Sequence, residues 1–154
     1  MNKISVTLII SIFVLSIFLG GLVSAQEKNF LNKFDSSKNT VAATQLIFNR
    51  IESAIAQGDV TLLSSYLGSQ TYLSLSNGIR GYYSSNQTYY VLEDFFRIYS
   101  VTSFNFDNLN VDENIPYATG IYNYEFKGKR NSVQAYVSLK KIGNRLKITQ
   151  ITIN

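Results

Sequence analysis

Apolar residues recur along the chain at two spacings, and the change from one to the other marks its elements. Between Thr40 and Gln57, Val41, Ala43, Ile47, Phe48, Ile51, Ala54 and Ile55 fall in one arc at about 100° per residue. Gln45, Asn49, Glu52, Ser53 and Gln57 lie opposite, and Leu46 is off the stripe. This predicts an amphipathic helix. Gly58 suits the left-handed residue that ends it, and Asp59 suits the cap of a short second helix, "VTLLSSYL", stopping before Gly68. "TYLSLS" then alternates as a strand. Asn77-Gly78 is a two-residue hairpin signal leading into "IRGYYS".

The spacing turns helical again after Ser84, which with Gln87 three residues on forms a capping-box signature and predicts a third helix from about Ser85. Thr88, Tyr89, Val91, Leu92, Phe95, Phe96, Ile98 and Tyr99 fill one half of its wheel. Tyr90, Glu93, Asp94 and Arg97 fill the other. Period two returns in "TSFNFDNLNV", "YATGIYNYEFKG", "SVQAYVSLKK" and "NRLKITQITIN", separated by turn signals at "DENIP", "KGKR" and "IGN". In the last run Leu146 and Ile148 share one face while Ile151 and Ile153 fall on the other. That predicts either a bulge near Thr149-Gln150 or a strand covered on both sides.

Helices gathered early and strands gathered late predict an α+β domain, with three helices packed on one side of a curved, mainly antiparallel sheet of five to six strands. The order resembles the nuclear-transport-factor-2-like cone fold. "YYSSNQTYYVLEDFFRIYSVTSFNF", "PYATGIYNY" and the terminal "LKITQITIN" resemble more closely a bacterial family with that fold, domain of unknown function 4783. The likeness rests on a Tyr-Ser before the third helix, a Phe-Phe inside it and a Gly in a following strand. It covers about residues 40–154 and implies a fold without implying a reaction. Cavity enzymes of the same fold use an Asp or a His–Asp pair inside the cone. Here no acidic residue falls on an apolar helix face, and Glu125 alternates away from Tyr122, Tyr124 and Phe126.

The start of the chain changes the picture. Lys3, an apolar run from Ile4 to Leu19, a break at Gly20-Gly21 and then Val23-Ser24-Ala25 are the parts of a secretory signal. We expect cleavage after Ala25, export to the periplasm or beyond, a linker over residues 26–39 and one domain over residues 40–154. The alternative is a membrane anchor formed by residues 4–19, since a spanning helix takes ~17–25 residues.

Composition narrows the chemistry. The chain has no Cys and no His, which removes disulfides, thiolate sites, the commonest general base and the usual transition-metal ligands. We expect no metal, no cofactor and no catalytic residue. Charge is unevenly placed: residues 26–126 hold six Lys/Arg against ten Asp/Glu, whereas residues 127–154 hold seven Lys/Arg and no acid. Lys127, Lys129 and Arg130 at one turn are candidates for contact with an anionic surface. Basic residues on strands and turns also simply discourage edge-to-edge aggregation. Nucleic acid is not an expected partner of an exported chain. Glu93 stands four residues before Arg97, the favourable order for a helix-surface ion pair. Asp112-Glu113 is an acidic pair in a turn.

Phe95, Phe96 and Tyr99 should face the sheet at Tyr122 and Tyr124, with Ala118 and Gly120 leaving space between. Arg80 and Tyr83 would stand near the mouth of such a cavity, suited to a small apolar ligand. The expected role is an exported non-enzymatic domain that binds a small apolar molecule or a protein partner through the cavity or the sheet face. Alternatives are a cavity enzyme of isomerase or cyclase type using tyrosines as proton donors, and a structural module that forms homodimers through its sheet.

Overall fold

The computed structural model describes residues 38–111 and 114–154. The expected signal segment, residues 1–25, and the Asp112-Glu113 pair lie outside the described residues. Among the described residues, no helix is long and apolar enough to cross a membrane.

The first helix, α1, covers residues 38–57, so residues 38 and 39 are helical and not linker. It buries Phe48, Ile51, Ala54 and Ile55. The buried face is turned slightly from the expected arc: Thr44 is buried, while Val41 and Ala43 are exposed. Gly58 ends the helix at φ 65, its N–H donating to the Ile55 carbonyl at 3.0 Å. Asp59 then caps α2, Val60–Ser64, accepting from the N–H groups of Thr61 and Leu62 at 2.8 and 3.3 Å. This helix is shorter than the sequence implies because the chain is already extended at Leu67.

Strand β1, Leu67–Leu75, runs antiparallel to β2, Arg80–Ser84. The hairpin has three loop residues where Asn77-Gly78 implies two. Gly78, at φ 90, donates to the Leu75 carbonyl, and Leu75 donates to Ile79, so Ser76 is drawn into the loop. Helix α3, Ser85–Ile98, starts with both bonds of the predicted capping box: Ser84 Oγ accepts from Gln87 N–H, and Gln87 Oε1 accepts from Ser84 N–H. Thr88, Leu92, Phe95 and Phe96 are buried, whereas Ile98, assigned to the apolar half, is exposed.

Four strands follow: β3, Ser100–Asn110; β4, Tyr117–Phe126; β5, Lys129–Ile142; and β6, Arg145–Ile153. They form a six-stranded sheet in the order β2-β1-β6-β5-β4-β3, antiparallel except where β1 meets β6. Helix α3 carries the chain from the β2 edge to the β3 edge, and the later strands step back until β6 meets β1. The helices cover one face of the sheet, and the buried side chains form one core with Leu73, Val137, Leu139, Ile148 and Ile151 at its centre.

The predicted change of face in the last strand is a bulge. Ile148 pairs with Leu139 and Gln150 with Ser138, so Thr149 is the extra residue. Ile148, Ile151 and Ile153 thereby all reach the inner face and are buried. Strand β3 has two more bulges: Val101 pairs with Tyr124 and Ser103 with Asn123, leaving Thr102 extra, and Phe106 pairs with Gly120 and Asn108 with Thr119, leaving Asp107 extra.

Candidate functional site

The aromatic residues singled out from the sequence do meet. The Phe95 ring stacks on Tyr99 at 4.8 Å between centroids and lies 6.0 Å from Tyr122. Phe96 stacks on Tyr122 at 6.1 Å, and Tyr99 contacts Tyr124 at 5.4 Å and Phe126 at 4.8 Å. Such centroid distances are those of rings in direct contact. Phe95, Phe96, Tyr122 and Tyr124 are buried, and Tyr99 is half-buried. The Tyr122 hydroxyl donates to the Tyr99 carbonyl at 2.7 Å. Burial, with a smaller contribution from neighbouring Tyr124, pushes that hydroxyl well above the ordinary tyrosine range. A phenol held neutral and engaged in this way supports the core and is poorly placed for proton transfer.

Two parts of the expected cavity are placed differently. A Cβ on Gly120 would lie 2.2 Å from the Asn105 carbonyl oxygen and 2.9 Å from Phe106 Cα, so the space beside Gly120 is filled by the β3 backbone. Arg80 shares the outer face of the sheet with Tyr82, because alternate residues of a strand point the same way. It therefore does not flank an inner cavity. Tyr83 turns inward, packs against the core and sits by the start of α3, where Thr88 Oγ1 donates to its carbonyl.

The close approach allowed by Gly120 shapes the β3 bulge at Asp107, and a carboxylate serves it on each side. Glu52, assigned to the polar face of α1, accepts from the Phe106 N–H at 2.7 Å. Asp107 accepts from the Thr119 hydroxyl at 3.0 Å. Asp107 thus overhangs the outer face, the face without helices. There a recess of about 260 Å³ is lined by Asp107, Thr119, Gln134, Tyr136, Thr152 and Asn154, with Gly120 and Ala135 contributing to its walls. Tyr136 stacks on Tyr117 at 5.6 Å and 25°. Asn154 Nδ2 donates to Ser74 Oγ at 2.9 Å, and Gln150 Nε2 donates to Thr152 Oγ1 at 3.2 Å. Two strands away, Tyr72 and Tyr82 form another pair at 5.1 Å.

Sequence reasoning passed over this recess, although a signal was present. In "FNFDNLN" the apolar residues step from Phe104 and Phe106 to Leu109, the same slip of phase that reveals the bulge in β6. Gly120 inside a strand is the second signal, since such a glycine marks close backbone approach.

Most of the other described charged residues are exposed. Arg97 pairs with Asp94 and not with Glu93, in an exposed i,i+3 bridge. Lys127, Lys129 and Arg130 are exposed at the β4–β5 turn, where Lys127 (φ 51) and Gly128 (φ 74) take the two left-handed positions of a type I′ hairpin. Lys127 Nζ lies 5.1 Å from the Phe126 ring centroid, and Arg130 stands across from Glu125. Among the described residues no three acidic side chains gather, and the chain has no His or Cys, so no side-chain set there is a ready metal cage.

The model of the family described as domain of unknown function, DUF4783, matches residues 48–154. A DUF4783 family protein from Bacteroides uniformis is similar in structure with a TM-score of 0.63 and 21% identity, over 69% of this chain and 94% of that one. One from Bacteroides ovatus gives 0.60 and 21%, over 68% and 90%. The structure described as "Rd1NTF2_04 with long sheet" gives 0.58 and 12%, over 72% and 99%. At these identities the likeness shows the fold, the expected nuclear-transport-factor-2-like one. No curated protein sequence matches the chain.

Proposed function

We propose, for a chain that belongs to the DUF4783 family and takes no activity from that membership, the role of an exported, non-catalytic binding domain whose working surface is the outer face of its sheet. The observation that carries this reading is the contrast between two sets of tyrosines. On the inner face, Tyr122 and Tyr124 are buried against Phe95, Phe96 and Tyr99. On the outer face, Tyr72–Tyr82 and Tyr117–Tyr136 form ring pairs around a polar strip of Gln150, Ser138 and Thr152. Tyr82 is 72% exposed. Tyrosines with an accessible ring and a polar tip suit recognition, offering contact area at low conformational cost. Export is supported by the signal-like segment that ends at Val23-Ser24-Ala25.

Photo-crosslinking in the native host tests which face works. A benzophenone side chain at Tyr82 should give adducts, and one at Tyr90, exposed on the far side of α3, should not. Adducts from Tyr90 alone would overturn the reading. Protein recovered from the cell envelope should begin at Gln26; recovery of chains that keep Met1 would remove cleavage after Ala25 from the proposal. Light scattering on the same material shows whether a second copy occupies the face.

A further inference from the structure

We infer that the outer-face recess between Asp107 and Tyr136 binds a neutral, polyhydroxylated ligand, a sugar unit of a glycan. The inference rests on the outer-face reading above and names the chemistry of what that face recognises.

Four features lead to it. The backbone around the recess is committed to the sheet: Thr119 pairs with Tyr136, Gly120 with Ala135, and Tyr136 with Thr152. The strands that contribute these residues are interior to the sheet, apart from β3, so a peptide cannot bind there by adding a strand. A ligand must instead meet side chains. Those available are two hydroxyls, Thr119 and Thr152, and two carboxamides, Gln134 and Asn154; Thr119, its proton given to Asp107, can accept, and the other three can donate and accept. Sugar hydroxyls have the same double capacity.

The charge is the second feature. Among the described residues, Asp107 is the one acidic side chain lining the recess, and no Lys or Arg side chain lines it. Arg80 lies in the same cross-strand row but beyond β1, two strands from Thr152, roughly 10 Å at ordinary strand spacing. An anion would therefore meet repulsion without compensation. A carboxylate accepts through two oxygens, which matches the neighbouring hydroxyls of a diol.

Third, the Tyr136 ring is braced by Tyr117, giving a fixed aromatic surface whose negative face attracts the polarised C–H groups of a sugar ring. Last, the volume of about 260 Å³ lies below the ~300–1,000 Å³ typical of drug-sized ligands, which suits one ring and not a long apolar molecule. The bulge that aims Asp107 over the recess gives the acid its place there, as bulges beside binding sites do.

Saturation-transfer NMR on protein purified from its native host tests this with maltohexaose, cellohexaose and hexa-N-acetylchitohexaose, and with putrescine as a cationic control. At least one hexasaccharide should receive magnetisation, and putrescine should not compete with it. Asp107→Asn keeps the size and one acceptor, and should weaken binding about tenfold, the loss expected of one charge-assisted hydrogen bond. Tyr136→Ala should abolish it, and Tyr136→Phe should retain it. Thermal unfolding checks that each variant is folded. Silence with all three sugars overturns the inference, as does binding that survives both Asp107→Asn and Tyr136→Ala. Displacement by putrescine would reassign the recess to cations and overturn it too. Silence with the sugars while Tyr82 still crosslinks leaves the outer-face reading standing. Sugar binding without Tyr82 crosslinks confines recognition to the recess.

Discussion

The two faces of strand β4 place tyrosines in opposite circumstances only a few residues apart. Tyr122 and Tyr124 point inward, lose their water and pack against other rings; Tyr117 points outward and shares its ring face with Tyr136. The side chain is the same, and its surroundings decide what it does. Inward, the hydroxyl must find a partner within the protein, and for Tyr122 that partner is the Tyr99 carbonyl. Outward, Tyr117 and Tyr136 are only half-buried, and part of each side chain stays accessible. An abundance of tyrosine is therefore evidence about function only after the faces have been separated.

Substitutions sharpen this contrast in order of effect. Phe95→Ala, on a fully buried ring, should destabilise by ~3–5 kcal/mol in urea unfolding. A cost below 1 kcal/mol would show that the inner face is not the core. Gly120→Ala places a methyl group against the β3 backbone and should cost ~1–3 kcal/mol. It should also disturb the amide signals of Phe106 and Asp107. Glu52→Ala leaves the Phe106 N–H without its acceptor and should cost about 1–3 kcal/mol.

Tyr122→Phe should cost ~1–2 kcal/mol by leaving the Tyr99 carbonyl unpaired, and it carries a second signature. Because the folded protein raises the pKa of Tyr122 above its unfolded value, that contribution is fully present below pH ~10 and is lost as pH rises beyond it. The fall in stability at alkaline pH should be shallower in Tyr122→Phe. An unchanged slope would mean that the hydroxyl is no less ionisable in the folded state. Tyr82→Ser, by contrast, should change stability by no more than ~0.5 kcal/mol. Smallest of all is the effect proposed for the basic turn. Retention on heparin should fall steeply with salt and weaken on reversing Lys127, Lys129 and Arg130, since attraction is screened over ~8–10 Å. No retention at low salt would leave those residues a role in solubility alone.

Much of the fold was legible because its signals are local. Ser84 and Gln87 set the start of α3 through bonds that span three residues, and Gly58-Asp59 set the junction of the first two helices in the same way. The bulge in β6 was readable as one of two options because Ile148 and Ile151 are both strongly apolar, so burying both takes a break in phase or cover on both faces. The bulge at Asp107 in β3 follows the same rule, but its second apolar residue, Leu109, is 36% exposed and set among polar neighbours, which weakens the signal. Other features depend on residues distant in sequence. Gly120 reads as empty space until the register with Asn105 and Phe106 shows that a backbone fills it. Glu52 reads as solvated because the N–H it accepts from lies 54 residues further on. The choice of Asp94 over Glu93 by Arg97 is one of side-chain rotamers on an exposed helix, where both spacings are close in energy.

The parallel seam between β1 and β6 also governs the order of assembly. It joins groups far apart along the chain, as in the bond from Thr71 to the Ile148 carbonyl across 77 positions. The β1–β2 hairpin and the β3–β4–β5 meander each form from neighbours, yet neither closes the core while β6 is unplaced. Closure of that long loop carries an entropic cost before any contact repays it, which makes seam formation a slow event in folding. The chain would thus remain in loosely associated halves and would lock only after its last strand docks.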